Sequence, residues 1–84
     1  MNTLVLYDVE HDGTRQKFAN ICFDYGLDRV QYSAFLGRLT SNRRQELFRK
    51  LQKTLGDGRG AVRLFVIGDR DFSQQLQFDT GMWT

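Results

Sequence analysis

Apolar and polar positions keep a recognisable period over five stretches of this chain, in the order strand, helix, extended segment, helix, strand. Leu4-Val5-Leu6-Tyr7-Asp8 is an apolar run ending in a carboxylate, which suits a buried strand with Asp8 at its C-terminal lip. The polar loop Val9 to Gly13 follows, and Asp12 or Thr14 is placed to cap a helix by accepting its free amide hydrogens. Phe18, Ile21, Cys22 and Tyr25 then recur at helical spacing and define one apolar face, which Gly26 ends.

From Arg29 to Leu39 the chain is rich in aromatic and branched residues and reads as extended, either one bent strand or two short ones. Val30, Tyr32, Ala34 and Leu36 would face one way, with Gln31, Ser33, Phe35 and Leu39 facing the other. Thr40 or Ser41 can cap a second helix whose apolar stripe is Leu47, Phe48, Leu51 and Leu55, and Gly56 closes it. Ala61 to Ile67 is another buried strand. Phe72 to Phe78 alternates weakly, which predicts a C-terminal edge strand added to this sheet or to a partner's. Met82-Trp83-Thr84 is expected to be a loose end or a further interface contact.

This order predicts an α+β fold: a ferredoxin-like sandwich with two helices on one face of an antiparallel sheet, plus the C-terminal edge strand. At 84 residues the chain is one domain, residues 1–84, with its core at about 3–67 and a tail over 69–84. So small a domain gains substantially from burying more surface by self-association.

Composition excludes several classes. No apolar run approaches the roughly 20 residues of a membrane span, and no charged-then-apolar leader opens the chain, so a cytoplasmic location without a membrane partner is expected. The single Cys22 has no partner for an internal disulfide and no companion zinc ligands, so it is expected in the core. The single His11 excludes a His-pair metal motif within one chain. Net charge is only +2, but the span from Arg38 to Arg63 is +6 and the remainder is −4. A basic field beside an acidic strand end suits a polyanion held near a hard metal, although a solvated helix surface carries such charges too. Arg15 and Lys17 lie in a first helical turn, where a cation is disfavoured by the helix dipole. A phosphate partner would explain them, and so would a salt bridge to Glu10 or Asp12.

Tyr7-Asp8-Val9, Asp12, Arg15, Lys17, Cys22, Tyr25-Gly26 and Val30-Gln31-Tyr32-Ser33-Ala34-Phe35 together resemble the small CRISPR-associated protein family that captures new spacers with the CRISPR integrase, often labelled a CRISPR-associated endoribonuclease. The resemblance covers about residues 3–67. Gln16 stands where a second Arg is usual, and Ala34 where Val is usual. The resemblance implies a ferredoxin-like homodimer in which two copies of Asp8 face each other and hold Mg²⁺, making Asp8 both the catalytic and the metal-binding residue. It implies metal-dependent cleavage of single-stranded RNA or duplex DNA, and a bridging role between integrase subunits.

Magnesium keeps several waters and takes one or two carboxylates, so paired Asp8 residues would suffice where one chain would not. Tyr7, Arg15, Lys17 and Arg29 are then expected to position backbone phosphates, with Ser33 and Phe35 near the site by resemblance. Arg43, Arg44 and Lys50 are expected to lie along a nucleic acid. His11 has the chemistry of a general base, but the resemblance does not require it, and a lone loop histidine is expected to face solvent. Two alternatives remain at this stage: a purely structural DNA-binding adaptor without catalysis, and a toxin-type ribonuclease on the same fold.

Overall fold

The computed structural model describes residues 1–81. It contains β1 (Asn2–Val9), α1 (Asp12–Asp24), β2 (Asp28–Gln31), β3 (Ala34–Arg38), α2 (Ser41–Leu55), β4 (Gly60–Ile67) and a short α3 (Asp69–Phe72). The four strands form one sheet in the order β2-β3-β1-β4, every neighbouring pair antiparallel. This is the ferredoxin-like arrangement the element order predicts. No helix among the described residues is long and apolar enough to cross a membrane.

Because side chains alternate across a strand, β1 sorts its residues between two faces. Thr3, Val5, Tyr7 and Val9 point to the side covered by α1 and α2, where each is buried. There they join Phe18, Ala19, Ile21 and Cys22 of α1, Phe35 of β3, and Leu47 and Leu51 of α2 in one core. Leu4, Leu6 and Asp8 point to the opposite side. The register places Leu36 and Phe65 beside Leu4, Ala34 and Arg63 beside Leu6, and Ala61 beside Asp8.

Local details narrow some of the sequence expectations and correct others. His11, not Asp12 or Thr14, is the N-cap of α1: its Nδ1 accepts the Thr14 N–H at 3.2 Å. Asp12 is already helical and serves the first turn electrostatically. Thr40 caps α2, its Oγ1 accepting the Arg43 N–H at 3.3 Å. The Arg29–Leu39 region is two strands joined through Tyr32 and Ser33, with a register shift between Arg29 and Gln31. No described non-glycine residue has positive φ, so this turn is not of the primed type, and the shift takes up the strand twist instead.

Phe48 is only half-buried and lies beside Leu64, Arg44 and Arg49 at the flank of α2 rather than in the core stripe.

The predicted C-terminal edge strand over Phe72–Phe78 is not formed in the protomer. Phe72 ends α3, and the Gln74 and Gln75 N–H groups donate to the carbonyls of Asp71 and Phe72, so the chain keeps turning instead of running along β4. Leu76 and Phe78 are consequently 97% and 91% exposed. Met82, Trp83 and Thr84 lie outside the described residues.

Candidate nucleic-acid and metal site

The C-terminal end of β1 is held by a side chain from the following helix. Arg15 Nη1 donates to the carbonyl oxygens of Val9, at 2.7 Å, and Glu10, at 3.0 Å, while its other nitrogen pairs with Asp12. The salt-bridge explanation for a cation in this first turn is therefore the one realised, and Arg15 fixes the strand end that carries Asp8. The neighbouring start of β4 is equally constrained. A β-carbon on Gly60 would lie 2.7 Å from the Asp8 carbonyl oxygen and 3.1 Å from Val9 Cα, so only glycine permits this approach.

Asp8 itself is exposed, and its carboxylate makes no hydrogen bond or ion pair among the described residues. Glu10, Arg15 and Arg59 line the same shallow recess, with Glu10 and Arg59 paired at 3.3 Å. No group of three or more potential metal-ligating His, Cys, Asp or Glu residues occurs among the described residues. One unpartnered carboxylate suits half of a magnesium site, to be completed by water and a second carboxylate. The donor set fits the ion only if another chain supplies that second group.

Tyr7, although adjacent in sequence, faces the other way and is buried against Phe18 and Phe35, with ring centroids 5.1 and 6.3 Å away. Burial raises the pKa of its hydroxyl, and a hydrogen bond from Arg29 opposes the shift, so the group stays protonated at neutral pH. Its backbone N–H donates to the Ser33 carbonyl at 3.1 Å, tying the β2–β3 turn to β1.

Arg29 sits among the rings of Phe35, Phe23 and Tyr32, its guanidinium carbon 5.1, 5.5 and 5.7 Å from their centroids, and its buried Nε has no hydrogen-bond acceptor. Phe35, expected close to a bound nucleic acid, is fully buried. It therefore cannot touch one, and acts by supporting Arg29 and Tyr7. Tyr7, Arg15 and Arg29 are nonetheless brought together, lining one recess with Asp12, Gln16 and Tyr32.

The other predicted cations separate into two groups. Lys17 is exposed on α1 and has no partner among the described residues. Arg43 and Lys50 flank the Tyr25 ring from α2, at 4.3 and 5.9 Å from its centroid. Arg43 also pairs with Glu46, and Arg44 donates to the Leu39 carbonyl at 3.1 Å, which partly commits both to internal contacts.

Gln16 and Tyr32 were not expected to contribute to a site. The signal for Tyr32 is an aromatic residue in a polar turn three positions after Arg29, and only locating the turn gives it meaning.

Residues 1–75 match the protein family described as CRISPR associated protein Cas2. The chain belongs to the Cas2 family. A CRISPR-associated endoribonuclease Cas2 from Desulforudis audaxviator is 43% identical over 84 residues, covering 98% of this chain and 79% of that protein. A CRISPR-associated endonuclease Cas1/endonuclease Cas2 fusion from Thermoproteus tenax is 31% identical over 77 residues, covering 92% of this chain and 29% of the fusion. The crystal structure of Streptococcus pyogenes Cas2 at pH 6.5 superimposes with a TM-score of 0.79 at 24% identity, covering 94% of this chain and all of that one, a likeness of fold. The family match bears out the resemblance and sets aside the toxin-type reading.

Proposed function

We propose that this Cas2-family chain acts in CRISPR adaptation as a homodimer that binds nucleic acid, bridges integrase subunits, and cleaves phosphodiesters with Mg²⁺ through paired Asp8 carboxylates. The observation that carries the proposal is the row Leu4, Leu6, Asp8. Its first two members belong to an apolar sheet face that neither α1 nor α2 covers and that only α3 and the tail border, and its third is an acid without a partner among the described residues. A second copy laid on that face would bury the leucines and bring a second Asp8 to the first.

Bound magnesium would polarise a phosphodiester and ease deprotonation of an attacking water. The chain's own contribution is to hold Asp8 in place through the Arg15 clamp and the close approach of Gly60. Lys17, Arg43 and Lys50 add cationic reach to backbone phosphates, with Arg44 available beside them. Both single-stranded RNA and duplex DNA present the same phosphodiester to such a centre.

A second reading, a bridging adaptor in which cleavage plays no part, is favoured by the Thermoproteus tenax fusion, whose name joins Cas1 and Cas2 in one chain. One experiment separates the two. Asp8→Ala is compared with the charge-reversed pair Arg43→Glu and Lys50→Glu for Mg²⁺-dependent cleavage and for spacer capture with the integrase. On the nuclease reading Asp8→Ala abolishes cleavage, and equal activity in the variant refutes the assignment. On the adaptor reading Asp8→Ala leaves spacer capture intact while the charge reversals weaken DNA binding. Each lost phosphate contact lowers the salt slope by about 0.9.

A further inference from the structure

The recess walled by Tyr7, Asp12, Arg15, Gln16, Arg29 and Tyr32 lies on the other side of the β1 tip from the open sheet face. Its volume is about 260 Å³, below the roughly 300–1,000 Å³ of sites for drug-sized ligands, which restricts an occupant to about one nucleotide. Its walls are of two kinds. Tyr32 supplies an aromatic ring that remains 56% exposed, and the Arg29 guanidinium is stacked near it at 5.7 Å. Tyr7 and Gln16 supply the polar wall. Arg29 lines the recess beside Tyr7, and burial keeps the tyrosine protonated, so its O–H is available to donate. Gln16 Nε2 is engaged by Asn20 Oδ1 at 3.1 Å, leaving its carbonyl oxygen as an acceptor.

We propose that this recess receives one unpaired nucleotide of a single-stranded substrate, its base stacked on Tyr32 and its edge read by the Tyr7 hydroxyl and the Gln16 carbonyl. An aromatic face beside an arginine is the usual platform for a splayed base, because every base has a π-face to offer. A base within a duplex is stacked and paired and does not enter unless it is flipped out. Arg15 lines both this recess and the one holding Asp8, so a strand leaving the first passes the second. The inference rests on the nucleic-acid reading above and deepens it: the recess would select single strands, while the exposed cations of α2 hold phosphates of either kind of nucleic acid.

The test uses a single-stranded oligoribonucleotide containing 2-aminopurine, whose fluorescence falls on stacking, and a duplex DNA of the same length, both in EDTA. Full-length wild type is compared with Tyr32→Ala, Tyr32→Phe and Asp8→Ala. Tyr32→Ala should weaken single-strand binding by about 5- to 150-fold, the loss expected for one stacked base, and remove the quenching. Tyr32→Phe should retain both, and duplex affinity should stay at the wild-type value throughout.

Unchanged single-strand binding in Tyr32→Ala, or an equal loss on the duplex, would overturn the proposal. Because Tyr32 is largely exposed, its variants should keep the wild-type melting temperature, which checks that the fold is intact. Asp8→Ala should bind and quench as wild type does. A failed cleavage assignment would thus leave this inference standing, and a failed recess would leave the cleavage assignment standing.

Discussion

The two faces of the sheet are built from the same strands and carry comparable apolar side chains, yet they end in opposite states. On the helix side Val5, Tyr7 and Val9 retain 0, 7 and 2% of their exposure, whereas Leu6 and Phe65 on the other side retain 38 and 44%. What differs is cover. Two amphipathic helices supply it on one side, and on the other the described residues offer only α3 and a tail whose Leu76 and Phe78 are themselves exposed. An apolar face left open in so small a domain is where further burial would gain the most, which is why the proposed second copy is laid there.

The sharpest way to probe this contrast is to truncate one residue on each side. Phe18→Ala removes a fully buried ring that contacts Tyr7 edge-on, and should cost about 3–5 kcal/mol of stability. At roughly 4–8 °C per kcal/mol for a domain of this size, thermal denaturation should show a fall of well over 10 °C. Loss of a degree or two would mean the helix-side core is not what holds the sheet.

Leu6→Asp should behave differently. In the protomer the new carboxylate faces solvent, so folding should persist with a change of about 0.5 kcal/mol or less. In a dimer built on that face it would bury a charge without a partner, so sedimentation should find a monomer, and the melting temperature should lose its dependence on protein concentration. A variant that stays dimeric would place the second copy elsewhere and would separate the two Asp8 carboxylates.

The same contrast explains what was legible in the sequence. The helix-side pattern was readable because period and burial coincide: Phe18, Ile21 and Cys22 on α1 with Tyr25 at its C-cap, and Leu47 and Leu51 on α2, are buried as their spacing predicts. The position of Asp8 at a strand lip was readable for the same reason. Its face was harder to assign, because Leu4-Val5-Leu6-Tyr7 is apolar on both sides, and alternation carries no information when neither face is polar.

The N-cap of α1 escaped because imidazole is an uncommon acceptor at that position, and Asp12 and Thr14 on either side of Gly13 are better ranked. The commitments of Arg15, Arg29 and Arg44 were also hidden. A cation's composition does not reveal whether carbonyls or rings already occupy it, and here Val9, Glu10 and Leu39 carbonyls and three aromatic rings do. The tail does not extend the protomer's own sheet, because weak alternation supplies side-chain faces but no hydrogen-bonding neighbour.

The smallest expected effect lies at the rim where the open face ends. Asn2, Arg38 and Ile67 stand in register there, and Asp69 closes the row: its carboxylate accepts from Arg38 at 2.9 and 3.3 Å and from Asn2 Nδ2 at 3.2 Å, with the N-terminal amine 3.6 Å away. The hydrogen bond from Arg38, reinforced by its charge and that of the amine, lowers the Asp69 pKa below the ordinary carboxylate range.

A carboxylate depressed on folding stabilises the protein above its unfolded pKa, near 3.9, and loses that contribution as pH falls through the lower folded value. Asp69→Asn should therefore melt slightly below wild type at pH 6, with the gap closing as the pH is taken to about 2. Other acids titrate in both proteins and cancel from the difference. The pair is exposed, so the gap should also shrink in high salt. The oligomeric state should not change, since a rim contact adds little beside the apolar face it borders. If Asp69→Asn dissociated the dimer as fully as Leu6→Asp, then the direction that α3 gives the tail, rather than the leucine row, would be what joins two copies.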